Sequence, residues 1–453
     1  MSSSLTERQK DELHKSLLDY CKTQGFTATF EALQQEAGQE GFVSDPKAKY
    51  AGLLEKKWTS VIRLQKKIME LEQRNAQLTE ELATAPTSRR SASQNDWLPR
   101  NPPRHVLQGH RGPVAKVAFH PLFNQIASCS EDTTIKIWDW ETGDFERTLK
   151  GHTKPVMDVD FDSRGRLLAS CSSDMSIKIW DSDKQWACTS TFHGHDHTVS
   201  SIRFLPGDDY VVSGSRDKSI RIFELATGYC TKTLAGHNDW VRCVQPSSDG
   251  RLLASCGNDQ TGRIWDRATG ETKVELRGHE HVVECLAFAP LAAYPAIREL
   301  GDIKPAKPDN TTPGLYVATG GRDKVIKIWD SSNGACLRTL VGHDNWIRGI
   351  VWSPNGKYLL SVSDDKTLRV WDLGAGGGRC SKTIDAHGHF VTSIAWARAK
   401  AGGEAAEPRP DSGPSGGAPS KINGTSGGAE AGGKTVNAVV TTCVDMTIKV
   451  WTP

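Results

Sequence analysis

The chain has 453 residues, enough for two or three ordinary domains or for one repeat array with additions. Its apolar fraction of 37% and charged fraction of 24% suit a water-soluble globular protein, and a net charge of +2 argues against a general nucleic-acid or membrane binder. No stretch approaches the ~20 apolar residues of a membrane helix, and the polar N-terminus lacks the apolar core of a secretory signal.

Residues 1–40 read as two short helices. Leu13, Leu17, Leu18, Tyr20 and Cys21 fall on one side of the first, which ends near Gly25; Phe26, Phe30, Leu33 and Ala37 follow at helical spacing and end near Gly38. A pair this small cannot bury a sufficient core alone. Leu17-Leu18-Asp19-Tyr20, then Gly25-Phe26, Phe30 and Leu33, resembles a lissencephaly-homology motif, a helical dimerisation module.

Residues 50–83 carry a heptad pattern. Position a reads Leu54, Val61, Ile68, Asn75 and Leu82; position d reads Lys57, Leu64, Leu71 and Leu78. β-branched residues at a, Leu at d and one Asn at a favour a parallel two-stranded coiled coil. Leu64, Ile68, Leu71, Asn75 and Leu78 are therefore the candidate dimerisation residues. Residues 84–101, with Ser, Arg, Asn and Pro, read as a flexible linker.

From residue 102 two phrases alternate. Gly-His stands at 109–110, 151–152, 194–195, 236–237, 278–279 and 342–343, with Ala386-His387 in its place once. Trp-Asp stands at 138–139, 180–181, 265–266, 329–330 and 371–372, replaced by Phe223-Glu224 and by Trp451-Thr452. In five of the seven pairs the His-to-Trp (or Phe) interval is 28 residues. That period and those phrases mark a seven-bladed WD-repeat β-propeller over 102–453. Each repeat supplies four short strand-like runs bounded by turn residues. An Asp sits six residues before each Trp or its substitute: Asp132, Asp174, Asp217, Asp259, Asp323, Asp365 and Asp445. In the family this Asp, the His, the Trp and a Ser or Thr form a buried network, so these residues read as structural.

Four further expectations follow. The chain ends two residues after Trp451, so the seventh blade lacks a fourth strand, and His105-Val106-Leu107 should supply it and close the ring. Gly262 stands where the other repeats have Ile or Leu, which predicts a packing defect in blade four. Cys129, Cys171, Cys256 and Cys443 read as one small, buried slot shared with Gly214, Gly320 and Val362. Insertions at 290–314 and 397–434, the second rich in Gly, Ala, Ser and Pro and read as disordered, should fall between the first and second strands of their blades.

Eleven cysteines without CxxC pairs or metal-like Cys/His clusters imply a reducing compartment and no metal site. No GxSxG, Walker loop, HExxH or glycine fingerprint is present, so the chain reads as non-enzymatic and free of cofactors. Function should lie in slots that differ among repeats. Beside the turn Asp stand Arg216, Lys218, Arg322, Lys324 and Lys366; three and five residues after the repeated His stand Trp240, Arg242, Trp346 and Arg348. These entries concentrate in repeats three to six and predict one aromatic-arginine arc on one face, a composition typical of protein-binding hot spots.

The order of helical motif, coil and seven repeats resembles the lissencephaly/nuclear-distribution family. Ser215-Arg216-Asp217-Lys218, Gly342 to Gly349 and Asp364 to Asp372 carry the likeness. The resemblance implies a non-catalytic, homodimeric regulator of cytoplasmic dynein. It implies binding to the dynein heavy chain's motor domain through Arg216, Arg242, Arg322, Trp346 and Lys366, with Trp240 and Arg348 in the same arc. It further implies a NudE-type coiled-coil partner, and a place in the cytoplasm at microtubule plus ends and spindle poles, in nuclear migration, spindle positioning and vesicle transport. The domain order alone also admits a corepressor, a ubiquitin-ligase substrate receptor or a regulatory subunit of a lipid acetylhydrolase.

Overall fold

In the computed structural model, residues 7–39, 97–302, 312–374, 377–397 and 437–453 are described, with a few positions between 41 and 73. They divide into two compact units, Met1–Ser91 and Ala92–Pro453. No helix among the described residues is long and apolar enough to cross a membrane.

The second unit is seven four-stranded antiparallel sheets. In six of them the strands follow in chain order. The seventh is built from Val391–Trp396, Val439–Cys443, Thr447–Trp451 and, on its outside, His105–Gln108. The N-terminal strand pairs His105 with Val450 and Leu107 with Ile448. The innermost strands pack neighbour on neighbour, and Val114–Phe119 lies against Val391–Trp396, so the circle is closed. The expected missing strand is found, and sheet pairing between the two ends of the ring takes the place of a covalent closure.

The two repeated phrases are two sides of one contact. A Cβ added to Gly151, Gly236 or Gly342 would lie 2.9–3.0 Å from the outer ring carbon Cη2 of Trp180, Trp265 or Trp371. The glycine leaves room for the blade's own indole. Above it, His110 Nδ1 meets Asp132 Oδ2 at 2.9 Å, His110 Nε2 meets Ser128 Oγ at 2.8 Å, and the Trp138 indole N–H donates to that Oγ at 2.9 Å. Blades two, four, five and six repeat this tie; Thr319 replaces the serine in blade five. In blade three Phe223 has no N–H to give. The tied atoms are buried, so each hydrogen bond replaces a costly unmet one.

The turn Asp also shapes its hairpin. In blade six the Lys366 N–H bonds to the Ser363 carbonyl, and Asp365 Oδ1 accepts from the Thr367 N–H and hydroxyl. The next residue is left-handed in all seven blades: Thr133, Met175, Lys218, Gln260, Lys324, Lys366 and Met446 have φ between 65° and 74°. This is a type I turn closed by a left-handed residue, a three-residue hairpin loop. It lifts that side chain off the sheet and toward solvent.

Three expectations need correction. Gly262 leaves no void, because Leu276 on the neighbouring strand fills the space; an added Cβ would meet Leu276 Cδ1 at 3.1 Å and Cβ at 3.3 Å. Cys443 does not share the slot of Cys129. It pairs with Val391 as Ser130 pairs with Val114, one register position further on. The end of the segment read as linker belongs to the ring: Trp97 packs edge-on against Trp396, and Lys382 donates to the Pro99 carbonyl. A tryptophan and a leucine at its end have apolar surface to bury, which its polar start does not.

In chain order both insertions come between the first and second strands of their blades. The first holds a short helix, α3 (Tyr294–Leu300). Tyr294 stacks edge-on to Tyr316, and Ile297 is buried with Trp352, Leu359 and Leu373. It seals the seam between blades five and six. Residues 398–436, most of the second insertion, lie outside the described residues.

The first unit contains α1 (Glu7–Gln24) and α2 (Thr27–Glu36). Gly25 and Gly38 follow them with φ of 80° and 62°. That is the left-handed helix stop glycine supplies without strain. Leu18 and Cys21 are buried, but Leu13 and Tyr20 are exposed, and α2 buries no residue. Within one chain this pair therefore leaves apolar surface uncovered. Of the proposed coil, 65–71 is helical with Ile68 and Leu71 exposed; Leu64, Asn75 and Leu78 lie outside the described residues.

Candidate partner-binding surface

The divergent slots meet on the face of the ring that carries the Asp turns. Two positions per blade approach each other there: the fifth residue after the His, on the innermost strand, and the residue before the turn Asp. Their pairings differ by blade. In blade four Arg242 Nε donates to Asn258 Oδ1 at 2.7 Å. In blade five Arg322 Nε donates to Glu284 Oε1 at 2.6 Å. In blade six Arg348 forks onto Asp364, with bonds of 2.9–3.1 Å. In blade three the counterparts are Arg216 and Ser200; Arg216 Nε and Ser200 Oγ are buried without a hydrogen-bond partner.

Tryptophans from the third slot sit between these arginines. The Arg216 guanidinium lies 4.6 Å and that of Arg242 5.5 Å from the Trp240 ring centroid. Two blades on, Arg322 lies 4.1 Å and Arg348 5.0 Å from the Trp346 ring. The arc is thus one motif used twice: a tryptophan held between an arginine of the preceding blade and an arginine of its own. Stacking holds the rings between the guanidiniums, and both tryptophans are half-buried. His197 and His281 flank the two rings at 6.1 and 6.5 Å.

Glu284 joins the two halves. Its carboxylate, 8% exposed, also lies 3.6 Å from Arg348 Nη1. Burial pushes its pKa up, but the guanidiniums of Arg242, Arg348 and Arg322 outweigh burial and hold it below the usual carboxylate range. It stays charged and neutralises the centre and the blade-six end. At the blade-three end Arg216 has no carboxylate against its Nε, and Lys218 stands exposed beside it at φ 71°. The arc is therefore most positive over blades three and four. Lys324 and Lys366 are exposed on the same face.

The structure so brings together six of the seven residues selected from the sequence, Arg216, Trp240, Arg242, Arg322, Trp346 and Arg348, and places Lys366 exposed in an Asp turn of the same face. It adds Glu284, Asn258 and Asp364, which set charge and orientation. Their signal was present in the sequence as complementary residues at the two slots of one repeat, and it emerges only when those slots are compared as pairs.

Comparison with known proteins agrees with this architecture. Residues 7–42 match the PAC1 LisH domain family, and six segments (101–139, 143–181, 186–224, 228–266, 270–330 and 334–372) match the WD domain, G-beta repeat family. The six segments stop short of blade seven, whose interval the second insertion breaks. The chain is 61% identical over 456 residues to a nuclear distribution protein PAC1 of Mycosarcoma maydis, covering 100% of this chain and 98% of the relative. It is 56% identical over 453 residues to that of Coprinopsis cinerea, covering 100% of both, and 51% identical over 412 residues to that of Coccidioides posadasii, covering 88% and 87%. Fold and surface define a WD-repeat scaffold joined to a LisH helical module. The chain belongs to the family of nuclear distribution proteins PAC1, within the lissencephaly family.

Proposed function

We propose that this chain is a non-catalytic, homodimeric regulator of cytoplasmic dynein that docks on the heavy chain's motor domain through the arc over blades three to six. The observation that carries the reading is the doubled arginine-tryptophan-arginine stack, a rigid and largely pre-paid surface. Trp240 and Trp346 supply apolar area, and Arg216, Arg242 and Lys218 face an acidic patch of the partner. A regulator alters a motor only by preferring one of its conformations, so the docked state is one the ring binds more tightly than the others. Exposed Leu13 and Tyr20 on α1, with Ile68 and Leu71 further on, are the surfaces for self-association, which presents two rings to one motor complex. A NudE-type coiled-coil protein is the expected further partner. The setting is the cytoplasm, at microtubule plus ends and spindle poles, in nuclear migration, spindle positioning and vesicle transport.

The test is recovery of purified dynein motor domain on wild-type chain and on the triple variant Arg216→Ala, Arg242→Ala, Arg322→Ala. At about 1.4 kcal/mol for each well-placed arginine, affinity falls more than a hundredfold. Unfolding temperatures measured in parallel separate lost binding from lost fold. Equal recovery by a folded triple variant sinks the arc. Recovery of a histone deacetylase, a cullin or an esterase subunit from cells in place of dynein moves the chain to another class.

A further inference from the structure

Blade seven departs from the other six at its tie. Two residues before the turn Asp stand Ser130, Ser172, Ser215 and Ser363 in blades one, two, three and six, and Gly257 and Gly321 in blades four and five; blade seven has Cys443. In the six, Asp Oδ2 lies 2.7–2.9 Å from His Nδ1, and the Asp side chain is at most 10% exposed. In blade seven the separation is 3.7 Å and Asp445 is 30% exposed. His387 Nδ1 turns instead to the Thr447 hydroxyl at 3.1 Å. The result is a loosened tie with a sulfur beside it: ligand atoms of His387, Cys443 and Asp445 all lie within 4.8 Å of one another. The three are separated by 56 and 2 positions along the chain, and only sheet pairing brings them together.

We propose that His387, Cys443 and Asp445 form a zinc-binding site that clips the His loop of blade seven to its Asp turn. One imidazole, one thiolate and one carboxylate are a donor set for a borderline-soft ion, and a thiolate disfavours calcium and magnesium. His387 Nε2 is engaged by Thr441 Oγ1 at 2.9 Å, which supplies the outer hydrogen bond that orients a ligating histidine, and Nδ1 exchanges its Thr447 contact for the metal. Tetrahedral ligands of zinc stand about 3.5 Å apart, so the site closes by about 1 Å of side-chain movement, which the exposed side of Asp445 permits. The same side leaves the fourth position to water. Binding displaces the thiol proton of Cys443 to solvent. The blade concerned holds both ends of the ring, so the clip reinforces the one sheet that is assembled from distant parts of the chain.

The experiment uses the full chain, stripped of metal and kept reduced. Zinc stoichiometry is read by calorimetry, and cobalt serves as a spectroscopic probe through its thiolate-to-metal absorption. Wild type binds one zinc with that absorption, and its unfolding temperature rises by about 3 °C at zinc a hundredfold over Kd. Cys443→Ser places the residue of four other blades at this position, so it folds; it loses the absorption, one equivalent of zinc and the thermal shift. Cys188→Ser, on an exposed outer strand, keeps all three. A wild-type chain without the thiolate-cobalt absorption, or a Cys443→Ser chain that binds zinc with unchanged stoichiometry and absorption, overturns the site.

Discussion

The buried tie and the exposed arc occupy neighbouring positions of the same turns, yet they obey opposite rules. Asp365 belongs to the tie: its two oxygens take bonds from His343, the Asp344 N–H and Thr367. Asp364 and Lys366, on either side of it, belong to the arc. The tie is near-identical in blades one, two, four, five and six because it answers one packing problem, that of anchoring the His loop and the turn over the Trp; blade three lacks the Trp N–H and blade seven has the loosened form. The arc varies because nothing inside the blade dictates those slots. One residue therefore separates Asp365, whose change weakens the fold, from the exposed Lys366, whose change alters what the surface binds.

Predictions can break this separation. The largest effect falls on the tie. His343→Ala removes two buried bonds and leaves a cavity, with Asp365 Oδ2 keeping only the Asp344 N–H and Ser361 Oγ only the Trp371 N–H, lowering stability by about 3 kcal/mol in urea unfolding. Below its melting temperature the variant should still bind through the arc; binding as weak as that of the arginine triple variant would show that tie and arc are not separable.

Acid is the next lever, and it reaches the tie as well as Glu284 of the arc. Burial pushes the His110 imidazole below its ordinary 6.5. Burial would raise the Asp132 carboxyl, but bonds from Thr134, the Arg111 N–H and His110 outweigh it and hold it at about 2. For a depressed histidine, the stabilising neutral form is complete above the unfolded value and is lost as pH falls below it. For a depressed carboxylate, stability is complete above about 4 and is lost below. Urea midpoints should therefore decline below pH 6.5 and then more steeply below pH 4, with Asp132 alone worth about 2 kcal/mol. A midpoint constant from pH 7 to pH 3.5 would refute this account of the tie.

Gly262→Ala should have the smallest effect, under about 1 kcal/mol. The strand gains from losing a flexible glycine, and Leu276 must yield a few tenths of an ångström. A loss above about 2 kcal/mol would mean that Leu276 is held and that the glycine is required.

Much of the ring was legible because its rules are local and repeat. Period, blade count, the Asp turns and the fourth strand at 105–107 follow from spacing and from the unmet edge of the last sheet. The arc residues were found by subtraction, as the slots that fail to repeat. Their energetics were hidden, because Glu284 meets Arg348 across blades, and Arg216 and Trp240 also belong to different repeats. α3 was missed as structure: a seven-residue helix inside an insertion has no period to reveal it, and Ile297 is held by residues of the next blade.

The sequence by itself determined that seven blades form, where each begins and which slots are free to vary, since each of those depends on residues within one repeat. Tertiary structure alone decided how free charges were paired, which of them remained positive, and that His387, Cys443 and Asp445 meet. Those outcomes depend on strand pairing within a blade and on side chains meeting across neighbouring blades, distances that spacing along the chain does not give.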